Sequence, residues 1–369
     1  MQKKTFVLES FVTGSGHTLT NVRIGYETYG RLNANRDNAV FIPHMFLGTS
    51  HAAGKYRSDD PEPGYWDAII GPGKPIDTDR YFVVSADTLA NTNARDPNVI
   101  TTGPLSTNPH TGNSYGRHFP RITLSDSRPG AQELIAGLGI TRLHAVAGWS
   151  MGALQGFEWA ARFPDVVPRL VAVGGGAQVD GSTIGWIRAW TRPIVLDPKW
   201  HHGDYGTGAE PDDGVSSAIE VQLMTVAQHP WINSAFGRKW AQETANPAEE
   251  DANLYAWESQ QRQIGRYFAS VIDANSYLMA AKAIQTFTLA GEESVEKGLQ
   301  RVRARVLVIG TPSDIVTVES SLKRDVDILS KRGIAARYVA LDGPMGHLEG
   351  RFGIGRVAEE IRRFLEDKP

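Results

Sequence analysis

Ser150 stands in Gly148-Trp149-Ser150-Met151-Gly152, after the apolar run Leu143-His144-Ala145-Val146-Ala147 and before the helical pattern Ala153-Leu154-Gln155-Gly156-Phe157-Glu158-Trp159-Ala160. Strand, Gly-x-Ser-x-Gly and helix in that order predict a nucleophile elbow, a turn so tight that glycines must flank a serine held in strained backbone. Such a turn lifts the Ser150 hydroxyl clear of the sheet, at the N-terminus of a helix. A hydroxyl attacks a carbonyl only when a base takes its proton, so a histidine and a carboxylate to orient it must follow.

In folds built on this elbow the chain order is serine, acid, histidine, each on a loop after a strand. Asp314 satisfies the order: Arg305-Val306-Leu307-Val308-Ile309 reads as a strand and runs into Gly310-Thr311-Pro312-Ser313-Asp314. The competing reading of Asp314 is a turn aspartate capping the helix near Ser320. His347 is the candidate base, in Asp342-Gly343-Pro344-Met345-Gly346-His347 after the strand Arg337–Leu341. The other histidines lie before the nucleophile or, like His201, His202 and His229, in a helical middle segment. The adjacent pair His201-His202 reads as surface polarity rather than a metal site.

A tetrahedral intermediate needs two N–H donors, and losing one typically costs about 3–4 kcal/mol of transition-state stabilisation. Met151, at the helix start, is one candidate. The other is Phe46, with Leu47 as the adjacent possibility, in His44-Met45-Phe46-Leu47-Gly48 after the strand Ala39–Pro43. Gly71-Pro72-Gly73-Lys74 fails the phosphate-loop pattern, since Ala68 and Pro75 occupy required positions, and reads as a turn.

The elements that must hold these groups alternate. Strands are predicted at 39–43, 81–86, 143–147, 170–173, 305–309 and 337–341, and several are nearly continuous in Val, Ile, Leu and Ala, as strands buried on both faces must be. Helices are predicted at 127–138, 151–163, 320–331 and 357–365. The pattern implies an α/β class with a mostly parallel central sheet flanked by helices. Between 178 and 298 it stops, leaving helical patterns at 215–227, 253–267 and 276–289 and six of the nine tryptophans, Trp186, Trp190, Trp200, Trp231, Trp240 and Trp257. This segment is predicted to be an all-helical lid, inserted between core parts at 1–177 and 299–369. Most of its tryptophan rings are expected in its own core and some at the pocket.

With 369 residues, 41% hydrophobic and 21% charged, the chain reads as globular. A net charge of −3 without a basic stripe argues against nucleic acid. Zero cysteines exclude disulfides, thiolate metal sites and a cysteine nucleophile. No apolar leader pattern or long apolar run is seen, so the expectation is a cytoplasmic protein without membrane contact, metal or cofactor.

The sequence resembles the homoserine O-acetyltransferase family of α/β hydrolases over nearly its whole length. The matching stretches are Ile24-Gly25-Tyr26-Glu27-Thr28-Tyr29-Gly30, Trp66-Asp67-Ala68-Ile69-Ile70-Gly71-Pro72-Gly73-Lys74, Ile76-Asp77-Thr78-Asp79-Arg80-Tyr81-Phe82-Val83, Thr102-Gly103-Pro104, the elbow with Glu158-Trp159-Ala160, and Asp273-Ala274-Asn275-Ser276-Tyr277-Leu278. The resemblance implies the α/β-hydrolase fold, a ping-pong mechanism, an acyl-serine at the base of a tunnel, and homodimers through the helical lid.

The departures share a direction. The transferases of this family carry an aspartate after the catalytic histidine, for the homoserine amine, where this chain has Leu348. They hold the homoserine carboxylate with a lid arginine that an ungapped pairing places at Ile219, in Gly214-Val215-Ser216-Ser217-Ala218-Ile219-Glu220. Trp149 and Ala153 replace glycines at the elbow, and Thr88-Leu89-Ala90-Asn91-Thr92-Asn93-Ala94-Arg95 replaces a glycine-rich loop. A buried zwitterion needs both charges paired, so a pocket of Trp149, Leu47, Ile219 and Leu348 points to an uncharged alcohol portion. The expected activity is a serine esterase with a Ser-His-Asp triad, acting on short-chain, acetate-type esters, as in an esterase branch of the family. The alternative is an acetyl-CoA-dependent O-acetyltransferase acting on homoserine or another hydroxylated acceptor.

Overall fold

The computed structural model describes residues 2–367, apart from the side chains of 127–129. Eight strands form the main sheet: β1 Lys4–Val12, β2 Thr18–Tyr29, β3 Ala39–Pro43, β4 Phe82–Ala86, β5 Ala145–Trp149, β6 Arg169–Val173, β7 Arg305–Gly310 and β8 Ala336–Ala340. Their spatial order is β1-β2-β4-β3-β5-β6-β7-β8. The six strands from β4 to β8 run parallel, while β1 and β2 join antiparallel at one edge.

The hairpin β1–β2 escapes the sequence reading for a physical reason. β1 alternates buried Leu8 and Phe11 with exposed Val7 and Val12, so it lacks the continuous apolar run of a strand covered on both faces. The elbow strand also ends two residues later than predicted, at Trp149, which pairs with Val173 of β6.

Period-two alternation divides the core into two layers. Phe41, Val146, Val306 and Val308 face the layer containing α1 Ser127–Gly137, α2 Met151–Arg162 and α9 Glu319–Lys331. Val40, Ile42, Ala145, Ala147, Leu307 and Ile309 face the other, where α10 Ala358–Glu366 contributes Ile361, Phe364 and Leu365. Between β6 and β7 the chain leaves the sheet for helices α3 Gly181–Leu196, α4 Asp212–Val226, α5 His229–Ala235, α6 Ala256–Val271, α7 Ala274–Gln285 and the short α8 Val295–Leu299. A lone antiparallel bridge between Gln178 and Thr288 closes the base of this helical insertion. No helix among the described residues is long and apolar enough to cross a membrane.

Candidate active site

The elbow is as tight as its glycines require. Ser150 adopts φ 55° and ψ −119°, a backbone region few L-residues enter. Its N–H is anchored to the carbonyl of Val173 at 2.8 Å. A Cβ on Gly148 would collide with the carbonyl of Gly152, and one on Gly152 with the carbonyl of Pro43. The nucleophile helix α2 therefore starts directly against the end of β3.

Two loops deliver the other groups. His347, in the turn following β8, places Nε2 2.8 Å from Ser150 Oγ and Nδ1 2.7 Å from Asp314 Oδ2. Asp314 follows β7, and its second oxygen accepts from the backbone N–H groups of Val316 at 2.8 Å and Thr317 at 3.1 Å. One oxygen of Asp314 thus organises a turn and the other meets the histidine. The helix near Ser320 begins at Glu319 with no side-chain cap, so Asp314 does not cap it. Thr317 Oγ1 donates to Gly174 O at 3.1 Å, tying the acid loop to the end of β6. Asp314 and His347 are buried while Ser150 stays accessible.

Trp149 packs behind the histidine, with ring centroids 5.7 Å apart and the indole wedged against Gly174 and Gly350. A Cβ on Gly350 would strike that indole, which explains how a tryptophan fits inside the elbow. Among the described residues Trp149 Nε1 is buried without a hydrogen-bond partner.

Ser150 opens into a cavity of about 1220 Å³ whose lining includes Phe46, Leu47, Trp149, Met151, Ile219, His347 and Leu348. The cavity thus brings together the candidate nucleophile, base, oxyanion donors and pocket residues, and Asp314 stands one hydrogen bond behind. The insertion supplies the roof, with Ile187, Trp190, Leu223, Val226, Trp231, Trp257 and Phe268. Phe46 packs at a tilt against Tyr277, with centroids 4.8 Å apart, and stacks on Trp190 at 6.4 Å. Trp240 is exposed, away from the cavity lining. His201 and His202 are exposed. Among the described residues no cluster of three or more histidines and carboxylates is placed to hold a metal ion.

Beneath the loop at 49–56 lies a polar network that the sequence reading missed. The buried Glu27 accepts from Tyr29 at 2.9 Å, Tyr56 at 2.5 Å and His51 at 3.0 Å. Lys3 lies 3.4 Å from both Glu27 and Asp87. Burial raises the Glu27 carboxyl, but the His51 and Tyr56 hydrogen bonds and the Lys3 charge outweigh it and hold it below its ordinary range. His51 and Tyr56 also line the cavity. The matched stretch containing Glu27 is thereby tied to the cavity wall. The sequence signal was the buried-type Tyr-Glu-Thr-Tyr run, whose partners lie distant in the chain.

A family model for the alpha/beta hydrolase fold matches residues 63–343. A homoserine O-acetyltransferase of Symbiobacterium thermophilum is 37% identical over 358 residues, covering 96% of this chain and 92% of that protein. The chain belongs to the homoserine O-acetyltransferase family of α/β hydrolases. Among solved structures, esterase E22 superposes with a TM-score of 0.94 at 38% identity, covering 99% of this chain and 100% of that one. A homoserine O-acetyltransferase from Bacillus anthracis superposes with a TM-score of 0.93 at 36% identity, covering 100% and 98%. Overall likeness within the family therefore does not separate hydrolysis from acyl transfer, and the names of the sequence relatives favour transfer.

Proposed function

We propose that Ser150, His347 and Asp314 form the catalytic triad of a serine esterase acting on short, uncharged carboxylic esters. Ser150 Oγ attacks the ester carbonyl as its proton passes to His347 Nε2, and Asp314 holds the imidazole in the required tautomer. The N–H groups of Met151 and Phe46 receive the oxyanion. Cleavage of the C–O bond sends the His347 proton to the leaving alcohol. Water then attacks the acyl-serine by the same route, releasing the acid.

The observation that carries the ester reading is the chemistry of the wall beside the triad. Ile219 and Leu348 line the cavity together with Leu154, Ile187, Trp190, Leu223 and Val226. The charged groups of the lining already have partners: Arg57 with Asp60 at 3.1 Å, Arg351 with Glu62 at 3.9 Å, and Asp180 with Ser321 at 2.6 Å. Asp96 accepts from the N–H of Asn98 at 2.8 Å. Ile219 and Leu348 offer no charge to a zwitterionic acceptor placed against them, and an ion left unpaired there costs several kcal/mol.

Acetyl transfer from acetyl-CoA is the second reading, favoured by the names of the curated relatives. The same acyl-serine serves both, and they differ in whether an alcohol outcompetes water. The test is to offer ethyl acetate and, separately, acetyl-CoA with and without homoserine, following acid release and free thiol. Ser150-dependent ester hydrolysis with no homoserine-dependent thiol supports the esterase; efficient formation of acetylhomoserine would sink it.

A further inference from the structure

The loop at 44–48 is held in an unusual way: each of its five consecutive carbonyls accepts a hydrogen bond from a side chain. His44 O accepts from Gln155 Nε2 at 3.2 Å, and Met45 O from His44 Nδ1 at 2.7 Å. Phe46 O accepts from Thr92 Oγ1 at 3.1 Å, Leu47 O from Asn93 Nδ2 at 3.0 Å, and Gly48 O from Asn91 Nδ2 at 3.0 Å. Three of these donors come from Asn91-Thr92-Asn93, in the stretch after β4 that replaces a glycine-rich loop. Gln155 comes from the nucleophile helix itself.

The histidine's tautomer is fixed by its neighbours. The backbone N–H of Thr88 points at His44 Nε2 from 3.0 Å and Asn91 Nδ2 lies 3.2 Å from it, so Nε2 is the acceptor and Nδ1 carries the proton given to Met45 O. Burial also pushes His44 below its ordinary value, against the pull of Asp87, which keeps the ring neutral.

In a trans peptide the C=O and the following N–H point in opposite directions. Fixing the Met45 and Phe46 carbonyls toward the clamp therefore turns the N–H groups of Phe46 and Leu47 the other way. Both residues line the cavity above Ser150. From this we infer that Asn91, Thr92, Asn93, His44 and Gln155 are positioning residues that aim the second oxyanion donor. The inference rests on the triad reading given above. Gln155 has a particular part, since it ties the loop to the helix that presents Met151 N–H and so sets the spacing of the two donors. A glycine-rich loop would give close approach but no such polar grip, so in this chain pre-organisation comes from side chains.

The test is Thr92→Val, which removes the Oγ1 donor and keeps the side-chain shape, with Thr92→Ser as rescue and Asn93→Ala as a second variant at the adjacent carbonyl. The readouts are kcat and KM on p-nitrophenyl acetate, Ki for a trifluoromethyl ketone that forms a hemiketal oxyanion on the serine, and thermal stability. Misaimed donors should lower kcat about 10- to 100-fold with KM within about twofold, because only the transition state loses contacts. The Ki should rise in step with the fall in kcat/KM, and Thr92→Ser should recover most of both. Unchanged kcat in both Thr92→Val and Asn93→Ala, or a loss of kcat that leaves the ketone's Ki unmoved, would overturn the clamp. Absence of Ser150-dependent turnover in the unmodified protein would sink the esterase reading and the clamp with it, whereas an active protein indifferent to both substitutions refutes the clamp alone.

Discussion

Gly152 lies so close to Pro43 that any Cβ on the glycine would collide with the proline's carbonyl oxygen. That contact sets the distance between the start of α2 and the end of β3, and hence between the two elements proposed to supply oxyanion donors. Gly152→Ala should cost about 1–3 kcal/mol of stability through overpacking. It should also lower kcat by about 100-fold, because a displacement near 1 Å spoils the donor geometry. Urea denaturation and steady-state kinetics on one preparation read both effects, and a fully active Gly152→Ala would refute this role for the contact.

Ser150 itself carries backbone strain at φ 55° and ψ −119°. Ser150→Ala and Ser150→Gly should both abolish ester turnover. They should differ in stability, since only glycine relaxes in this region, where strain amounts to about 1–3 kcal/mol. Ser150→Gly is expected to unfold about 1 kcal/mol harder than Ser150→Ala after allowing for glycine's larger unfolded-state entropy. Equal stabilities would mean that the turn imposes no strain.

Glu27 gives a pH signature. Its ordinary value is 4.5 and the folded carboxyl lies lower, so the unfolded state binds more protons through that window. The stabilisation is present above pH 4.5 and is lost as pH falls through the folded value. Glu27→Ala should cost about 3 kcal/mol near neutrality, because Lys3 and two tyrosines lose a buried partner. Its deficit relative to the unmodified protein should shrink as the pH drops below 4.5 and through the folded value. A deficit independent of pH would show that Glu27 acts through packing and not through charge.

The apolar wall should be convertible. Leu348→Asp combined with Ile219→Arg introduces two charges beside the triad, and kcat/KM for ethyl acetate should fall at least about tenfold from their desolvation alone. Thermal unfolding of the same variant separates this from global damage. Undiminished ester hydrolysis would mean that these positions do not contact substrate.

Much of this arrangement was legible in the chain because it depends on local pattern. The strands buried on both faces are continuous in apolar residues, and the elbow, the acid and the base each sit a few residues past a strand. The β1–β2 hairpin was not legible, because its half-exposed alternation gives no continuous run. The clamp was illegible for a different reason. Asn91, Thr92 and Asn93 read as polar loop residues, and only folding places them against the carbonyls of Phe46, Leu47 and Gly48. Glu27 likewise meets His51 and Tyr56 only when β2 and the following loop pack together.

In the proposed mechanism the choice between water and an amino-acid alcohol is made at the acyl-serine, so its partitioning is the most direct measure of the account. The protein is acylated with p-nitrophenyl acetate in the presence of excess homoserine, and acetate and acetylhomoserine are quantified by NMR. Because both products arise from one intermediate, the choice of donor drops out. The apolar contacts at Ile219 and Leu348 predict acetate as essentially the whole product, with a deacylation rate independent of homoserine concentration. Acetylhomoserine rising with homoserine concentration until it exceeds acetate would contradict the account and make the protein a transferase.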